Sequence, residues 1–212
     1  MRKVICGIVV VFGTNVAAQE VVIAALGDSL TQGYGLVQEE GFVPQLQAWL
    51  DAQGAEVRLI NAGVSGDTTA GGLSRVAWTL TPEVDGMIVA LGGNDLLRGL
   101  APEVSRGNIE GILQVADESD VEVWLVGMEA PGNYGPDYKQ AFDAMYGELA
   151  EQHGTLYGGR FFDGLQADSG NPASVLALMQ PDGIHPNAEG VARIVETLGP
   201  QVLDLVARIR TP

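Results

Sequence analysis

The chain of 212 residues carries 27 acidic and 11 basic side chains, which gives a formal net charge of −16. So acidic a protein repels nucleic acid and anionic lipid headgroups, and we expect neither as a partner. The length suits one domain with a sizeable core. Cys6 is the single cysteine, which excludes an internal disulfide and a cysteine-based metal site.

Residues 1–18 have the pattern of a secretory signal peptide. Arg2 and Lys3 form a basic start, an apolar run too short to span a membrane follows, and small residues lead up to Ala18. Cleavage after Ala18 would leave residues 19–212 as the folded domain, with nine basic residues, 27 acidic residues and no cysteine. We therefore expect a periplasmic or secreted protein without a stable membrane anchor. An uncleaved amphipathic start is the alternative.

Strand-like and helix-like stretches alternate after the first twenty residues. Short apolar runs rich in β-branched residues predict strands, and the amphipathic segments between them predict helices. This alternation favours one three-layer α/β/α domain with a mostly parallel sheet of five strands. The predicted strands are 21–26, 56–61, 86–91, 121–127 and a weaker one near 155–163. Three predicted helices have apolar faces, formed by Phe42, Leu46, Trp49 and Leu50, by Ile109, Ile112, Leu113 and Ala116, and by Phe142, Met145, Tyr146 and Leu149. A last helix is predicted at about 188–209.

Four polar clusters flank these elements. Three of them follow the first three predicted strands, and the fourth precedes the last helix. Because the carboxyl ends of parallel strands meet at one edge of a sheet, the first three clusters should lie together. Each cluster alone is compatible with an ordinary turn or helix cap. They are Gly27-Asp28-Ser29, Ser65-Gly66-Asp67-Thr68, Gly92-Gly93-Asn94-Asp95 and Asp182-Gly183-Ile184-His185-Pro186.

The chain has two histidines, and their surroundings differ. His153 lies at the polar end of a predicted helix, just before a glycine, where histidine commonly interacts with the helix carboxyl end. His185 lies in a loop entering the last helix, three residues after Asp182. A carboxylate at that spacing can hold one ring nitrogen and fix the tautomer, which is the third role in a Ser-His-Asp triad. The alternative is a capping Asp182 beside an exposed His185.

Ser29 is the candidate nucleophile, because it comes directly after the first strand at the edge where open α/β sheets bind ligands. Its backbone N–H, that of Gly66 and the side-chain amide of Asn94 would supply three donors to a developing oxyanion. Together with His185 and Asp182, these residues predict an enzyme that transfers an acyl group to water through a serine ester.

These blocks resemble the SGNH (GDSL) hydrolases, a family named for its motifs. The serine, glycine, asparagine and histidine of its four blocks match Ser29, Gly66, Asn94 and His185, and Asp182 accompanies the last. The resemblance covers nearly all of residues 19–212 and is closest to the periplasmic thioesterase I, lysophospholipase L1 and arylesterase branch. It implies a flavodoxin-like sheet and a metal-free esterase. We expect the protein to act on small-molecule esters, without a cofactor and as a monomer.

The resemblance also implies a substrate loop, here containing Met128, Glu129, Pro131 and Tyr134. Glu129 stands where thioesterase members carry a basic residue, and Ala130 replaces a larger apolar one. An acid at that position would repel the phosphates of a CoA thioester, and alanine offers a long acyl chain less contact. The departures favour short-chain or aryl esters, with thioesters and lysophospholipids as open alternatives.

Three other interpretations are weaker. An α/β-hydrolase needs a Gly-x-Ser-x-Gly elbow, and Gly63-Val64-Ser65-Gly66 is followed by Asp67 instead. A nucleotide-binding protein could use the same cluster for phosphate, but the acidic charge and the lack of a lysine oppose it. A binding protein on this fold that has lost catalysis is disfavoured, because every catalytic residue type is retained.

Overall fold

The structure is a computed structural model that describes residues 20–166 and 172–211. The predicted signal peptide at 1–18 lies outside the described residues.

Five parallel strands form the sheet in the described part of the chain, in the order β2-β1-β3-β4-β5. This is the flavodoxin-like order, in which the chain first builds one side of β1 and then crosses to the other. The predicted α/β fold with a parallel five-stranded sheet is therefore confirmed. The strands are β1 (Val21–Gly27), β2 (Val57–Gly63), β3 (Gly86–Ala90), β4 (Glu122–Gly127) and β5 (Leu156–Arg160).

The burial of each strand follows its place in the sheet. β1 and β3 are buried at every residue, and β4 at all but Glu122, because helices cover both faces of the central strands. β2 and β5 form the two edges and are only partly buried. The continuous apolar runs in the sequence thus correspond to the centre of the sheet, while the weaker pattern near 155–163 corresponds to an edge.

Helices lie on both faces of the sheet. On one face α5 packs against α3 and α6, and on the other α9 packs against α2 and α7. The helices of the described residues are α1 (Ser29–Gln32), α2 (Phe42–Ala52), α3 (Thr69–Thr79), α4 (Gly93–Leu97), α5 (Pro102–Glu118), α6 (Pro136–His153), α7 (Asp163–Gln166), α8 (Pro172–Ala177) and α9 (Ala188–Ile209), with 3₁₀ turns at Gln38–Glu40 and Gly132–Tyr134. Within these ranges we find no helix that combines the length and the apolar character needed to cross a bilayer.

Helix α9 positions the loop that contains His185. Asn187 caps its first turn, because its side-chain oxygen accepts the N–H of Gly190 at 3.0 Å. The apolar face of α9 is buried against the sheet and α2. At Gly199 the two helices approach so closely that an added Cβ would lie 2.7 Å from the ring of Trp49. The end of the His185 loop is therefore fixed to a rigid element.

Candidate active site

The four polar clusters converge at the carboxyl edge of the sheet. Ser29 begins α1 directly after β1, and Asn94 lies in α4 directly after β3. β1 and β3 are the neighbouring strands at which the chain order reverses, and open α/β sheets bind their ligands in the crevice at this point. Gly66 and His185 line the same cavity as Ser29 and Asn94.

Ser29, His185 and Asp182 form a continuous chain of contacts. His185 Nε2 lies 2.8 Å from Ser29 Oγ, and His185 Nδ1 lies 2.7 Å from Asp182 Oδ2. The other oxygen of Asp182 accepts the backbone N–H groups of Ile184 and His185. The bond to the His185 ring, followed by these backbone bonds, lowers the pKa of Asp182 to about 2. The carboxylate is therefore ionised at every pH at which the protein is expected to work.

The His185 loop is held in place by Gln180 and Tyr34. The backbone N–H of Gln180 donates to the His185 carbonyl at 2.7 Å, and its side-chain amide donates to the carbonyls of Tyr34 and Pro186. The Tyr34 ring packs against the imidazole with 4.7 Å between centroids. No pattern in the sequence points to either residue, although Tyr34 follows Ser29 by only five positions.

Asp28 is a buried carboxyl beside the candidate nucleophile, with only 1% of its surface exposed. Its side chain caps α1 by accepting the N–H of Leu30 at 3.0 Å. Burial raises its pKa to about 6, against the opposing effects of the Leu30 N–H, His185 and the Asn94 amide. The sequence allows a helix cap in this cluster but gives no sign that the Asp28 carboxyl is buried beside Asn94 and His185.

The Asn94 amide donates to the Asp67 carbonyl at 2.9 Å and makes a longer contact of 3.3 Å with Asp28 Oδ2. The longer contact is the weaker one. Asp67 itself is held by the Nε of Arg75 at 2.6 Å. A further guanidinium nitrogen of Arg75 donates to the Gly27 carbonyl at the end of β1, which ties the loops after β1 and β2 together.

Gly66 adopts a φ of 83°, a left-handed conformation that disfavours a side chain. Its carbonyl accepts a hydrogen bond of 2.8 Å from Arg98, which fixes the orientation of the peptide bond between Gly66 and Asp67. This conformation explains why a glycine stands in the second cluster.

Asp95 connects the third cluster to the start of α3, which follows the second cluster. It is completely buried and accepts three hydrogen bonds, from the Thr69 N–H at 2.9 Å, the Thr69 hydroxyl at 2.6 Å and the Ser105 hydroxyl at 2.9 Å. A buried carboxylate needs such donors to offset the loss of water. From the sequence, Asp95 could be interpreted only as a helix cap.

The cavity in front of Ser29 has a volume of about 470 Å³ and is mostly apolar. All four predicted substrate-loop residues, Met128, Glu129, Pro131 and Tyr134, line it. The structure adds apolar lining residues from other elements that sequence reasoning did not identify, namely Leu97, Phe162 and Ile184 as well as Tyr34.

The other candidates for nucleophile and base have different surroundings. The Ser65 hydroxyl donates to the Gln32 side chain, and the Ser74 hydroxyl donates to the Gly71 carbonyl at 2.7 Å. His153 ends α6, as its position before Gly154 predicted, and its Nε2 lies 3.8 Å from Glu110 of α5. None of these three side chains contacts the chain of bonds at Ser29.

Among the residues that the structure describes, no group of three or more histidine, aspartate or glutamate side chains is arranged to hold a metal ion.

A serine–histidine–aspartate arrangement at the switch point of a flavodoxin-like sheet defines a serine hydrolase on a three-layer α/β/α fold, without the elbow motif of the α/β-hydrolases. The chain belongs to the GDSL-like lipase/acylhydrolase family, also known as the SGNH hydrolases, whose sequence profile matches residues 25–193. It is an ester hydrolase of this family.

Known proteins of similar sequence and structure are esterases and thioesterases. The chain is 37% identical to the esterase TesA of Pseudomonas aeruginosa, over 95% of its own length and 96% of that protein. It is 32% identical to thioesterase 1/protease 1/lysophospholipase L1 of Escherichia coli K12, over 85% of its length and 83% of that protein. The esterase EstA of a Pseudoalteromonas species, solved as a complex inhibited by monoethylphosphonate, superposes with a TM-score of 0.77 at 29% identity, over 88% of this chain and 98% of that chain.

Proposed function

We propose that the protein hydrolyses short-chain or aryl carboxylic esters through an acyl-enzyme on Ser29. The observation that carries the proposal is the pair of contacts at His185, with Ser29 Oγ 2.8 Å from one ring nitrogen and Asp182 2.7 Å from the other. This is the geometry in which a neutral imidazole can take a proton from a hydroxyl while a carboxylate stabilises the cation that forms.

The reaction has two steps, acylation and then deacylation of Ser29. Ser29 Oγ attacks the ester carbonyl carbon and gives its proton to His185 Nε2. The tetrahedral intermediate then collapses, the bond to the leaving oxygen breaks, and the alcohol departs with the proton from His185. Water next attacks the acyl carbon and gives a proton to His185, which returns it to Ser29 as the carboxylic acid leaves.

Asn94 is proposed to donate to the oxyanion, together with the backbone N–H groups of Ser29 and Gly66. Removal of one such preorganised donor typically lowers kcat by about a hundred- to a thousandfold, or roughly 2.7–4 kcal/mol. We expect Asn94→Ala to lower kcat for an aryl acetate by that order with little change in KM, because the bond strengthens only as charge develops. A loss confined to KM would show that Asn94 serves only in substrate binding.

The acidic charge of the protein leads us to propose that it prefers leaving groups without phosphates. Residues 19–212 have 27 acidic against nine basic side chains, so the field around the cavity opposes a phosphorylated leaving group. The sequence suggested that Glu129 contributes to this field, but its carboxylate contacts both Lys139 and Arg160. The repulsion therefore rests on the overall charge more than on Glu129 alone. Thioester hydrolysis remains the second candidate, because the relative from Escherichia coli is named a thioesterase.

A matched pair of thioesters tests the leaving-group preference. Butyryl-CoA and S-butyryl-N-acetylcysteamine present the same acyl group and the same bond, but only the first carries phosphates. We expect a higher kcat/KM for the neutral thioester at low salt and a smaller difference as salt is added. A preference for butyryl-CoA would contradict the proposal, and failure of p-nitrophenyl butyrate to react with the wild-type protein would overturn the ester hydrolysis itself.

We also propose that residues 1–18 are removed on export, that the protein acts in the periplasm or outside the cell, and that it is a monomer. The basic, apolar and small-residue pattern of this segment supports the first two points. Amino-terminal sequencing of the exported protein would contradict them if the chain still began at Met1, and sedimentation would contradict the third if it gave a dimer.

A further inference from the structure

Glu129 bridges two cations that belong to different elements. Its Oε1 accepts from Lys139 Nζ at 2.8 Å, and its Oε2 accepts from Arg160 Nη1 at 2.6 Å. Lys139 lies in the first turns of α6, and Arg160 is the last residue of β5. Since each carboxylate oxygen serves a different cation, the side chain ties residue 129 to both elements at once.

The segment around Glu129 separates two cavities. The apolar cavity in front of Ser29 has about 470 Å³, and a second cavity of about 440 Å³ lies beside it. Met128, Glu129, Pro131 and Phe162 line both cavities. Lys139 and Arg160 line only the second cavity, so the ion pairs hold this wall from the side away from the substrate.

We propose that the bridge from Glu129 to Lys139 and Arg160 limits the acyl-chain length that the protein accepts, by fixing the wall between the two cavities. This inference rests on the proposed esterase function of the Ser29 site. Release of the bridge lets the wall move into the second cavity, which enlarges the apolar cavity and gives a long acyl chain more surface to contact.

The backbone of the wall keeps other supports when the bridge is lost. The Ala130 N–H donates to Asp143 at 2.7 Å, and Lys139 donates to the Ala130 carbonyl at 2.8 Å. A Glu129 variant should therefore loosen the wall without unfolding it. Asp143 and Asp163 also pair with Lys139 and Arg160. Three carboxylates thus neutralise the two cations that line the second cavity, which makes that cavity unsuited to an anionic ligand. The ion pairs are therefore better suited to holding the wall in place than to binding a ligand.

Glu129→Gln is the sharpest test, because glutamine keeps the shape of the side chain but can accept a hydrogen bond only at one terminal atom. The measured quantity is the ratio of kcat/KM for p-nitrophenyl decanoate to kcat/KM for p-nitrophenyl acetate. We expect this ratio to rise roughly two- to tenfold, as suits the loss of two partly exposed ion pairs. The change should appear chiefly as a lower KM for decanoate.

Glu148→Gln is the matched control. Glu148 lies on α6, as Lys139 does, and forms an ion pair of 2.6 Å with Arg106 of α5, but it does not line the apolar cavity. The control should leave the decanoate-to-acetate ratio unchanged. Arg160→Gln should raise the ratio as Glu129→Gln does, but by less. It removes only one of the two cations and keeps the contact between Lys139 and the Ala130 carbonyl.

Salt provides an independent readout. The side chains of Glu129, Lys139 and Arg160 are 38%, 35% and 37% exposed, so salt can screen their attraction. Salt should raise the ratio in the wild-type protein more than in Glu129→Gln. An unchanged ratio in Glu129→Gln, an equal shift in Glu148→Gln, or an equal salt response in both proteins would overturn the inference. A wild-type protein that turns over no ester would overturn the proposed function and this inference with it.

Discussion

Replacement of Ser29 by alanine is expected to reduce kcat for p-nitrophenyl acetate by a factor on the order of 10⁶, the size of effect seen when a serine nucleophile is removed from a triad. The variant has no oxygen to form the acyl-enzyme, so only the oxyanion donors and substrate binding remain. The protein should still fold, because Ser29 lines the cavity and its hydroxyl contacts His185 rather than the core. Unchanged thermal unfolding together with lost turnover is the expected result.

A fluorophosphonate probe locates the nucleophile directly. It should label Ser29 in the wild-type protein and give no adduct with Ser29→Ala. Ser65→Gly serves as the matched control, because Ser65 lines the same cavity but its hydroxyl is directed to Gln32. Labelling of Ser65 or Ser74 in the wild-type protein would contradict the assignment of Ser29.

Replacement of His185 by alanine is expected to reduce kcat by a similar factor, since in triads the base and the nucleophile act as a unit. The matched control is His153→Ala, the other histidine of the chain, which lies at the end of α6 beside Glu110. This variant should keep kcat within a few-fold of the wild-type value. Full activity in His185→Ala, or an equal loss in the two variants, would contradict the assignment of the base.

The variant pair is more decisive here than a pH profile. Asp182, with a pKa of about 2, stays ionised throughout the neutral range and causes no change in rate there. Asp28, with its pKa raised to about 6 by burial, gains a proton as the pH falls through that value and lies in the same site. Protonation of Asp28 can therefore change the rate near pH 6 independently of the base. Comparison of His185→Ala with His153→Ala does not depend on the titration of Asp28.

The sequence predicted the fold and the grouping of the candidate site residues because both depend on local patterns. The apolar run at 86–91 must form a buried strand, and β3 occupies Gly86–Ala90. Once the strands are parallel, Ser29 and Asn94 must lie at the same edge of the sheet. The three-residue spacing between Asp182 and His185 is local too, and the loop satisfies it with a bond of 2.7 Å.

The parts that escaped prediction depend on packing between distant segments. Glu129 is an acid in the sequence, but its partner Arg160 lies 31 positions later and reaches it only because β5 ends beside the loop. Asp95 meets Thr69 across 26 positions. No pattern along the chain distinguishes such a buried or paired carboxylate from one in water, because each has the same residue type and similar neighbours.

The surroundings of Lys139 have a consequence for attaching the protein to a support. Lys139 is the only lysine after Lys3, and its ammonium group donates to Glu129, Ala130 and Asp143. The bond to Asp143, followed by that to Glu129, raises its pKa, so this amine is a poor nucleophile towards coupling reagents. Once residues 1–18 are removed, as proposed above, the other amine is the α-amino group of residue 19, two positions before β1, and β1 begins at the end of the sheet opposite Ser29. Amine coupling should therefore tether the protein by its amino-terminal side and leave the cavity facing the solution.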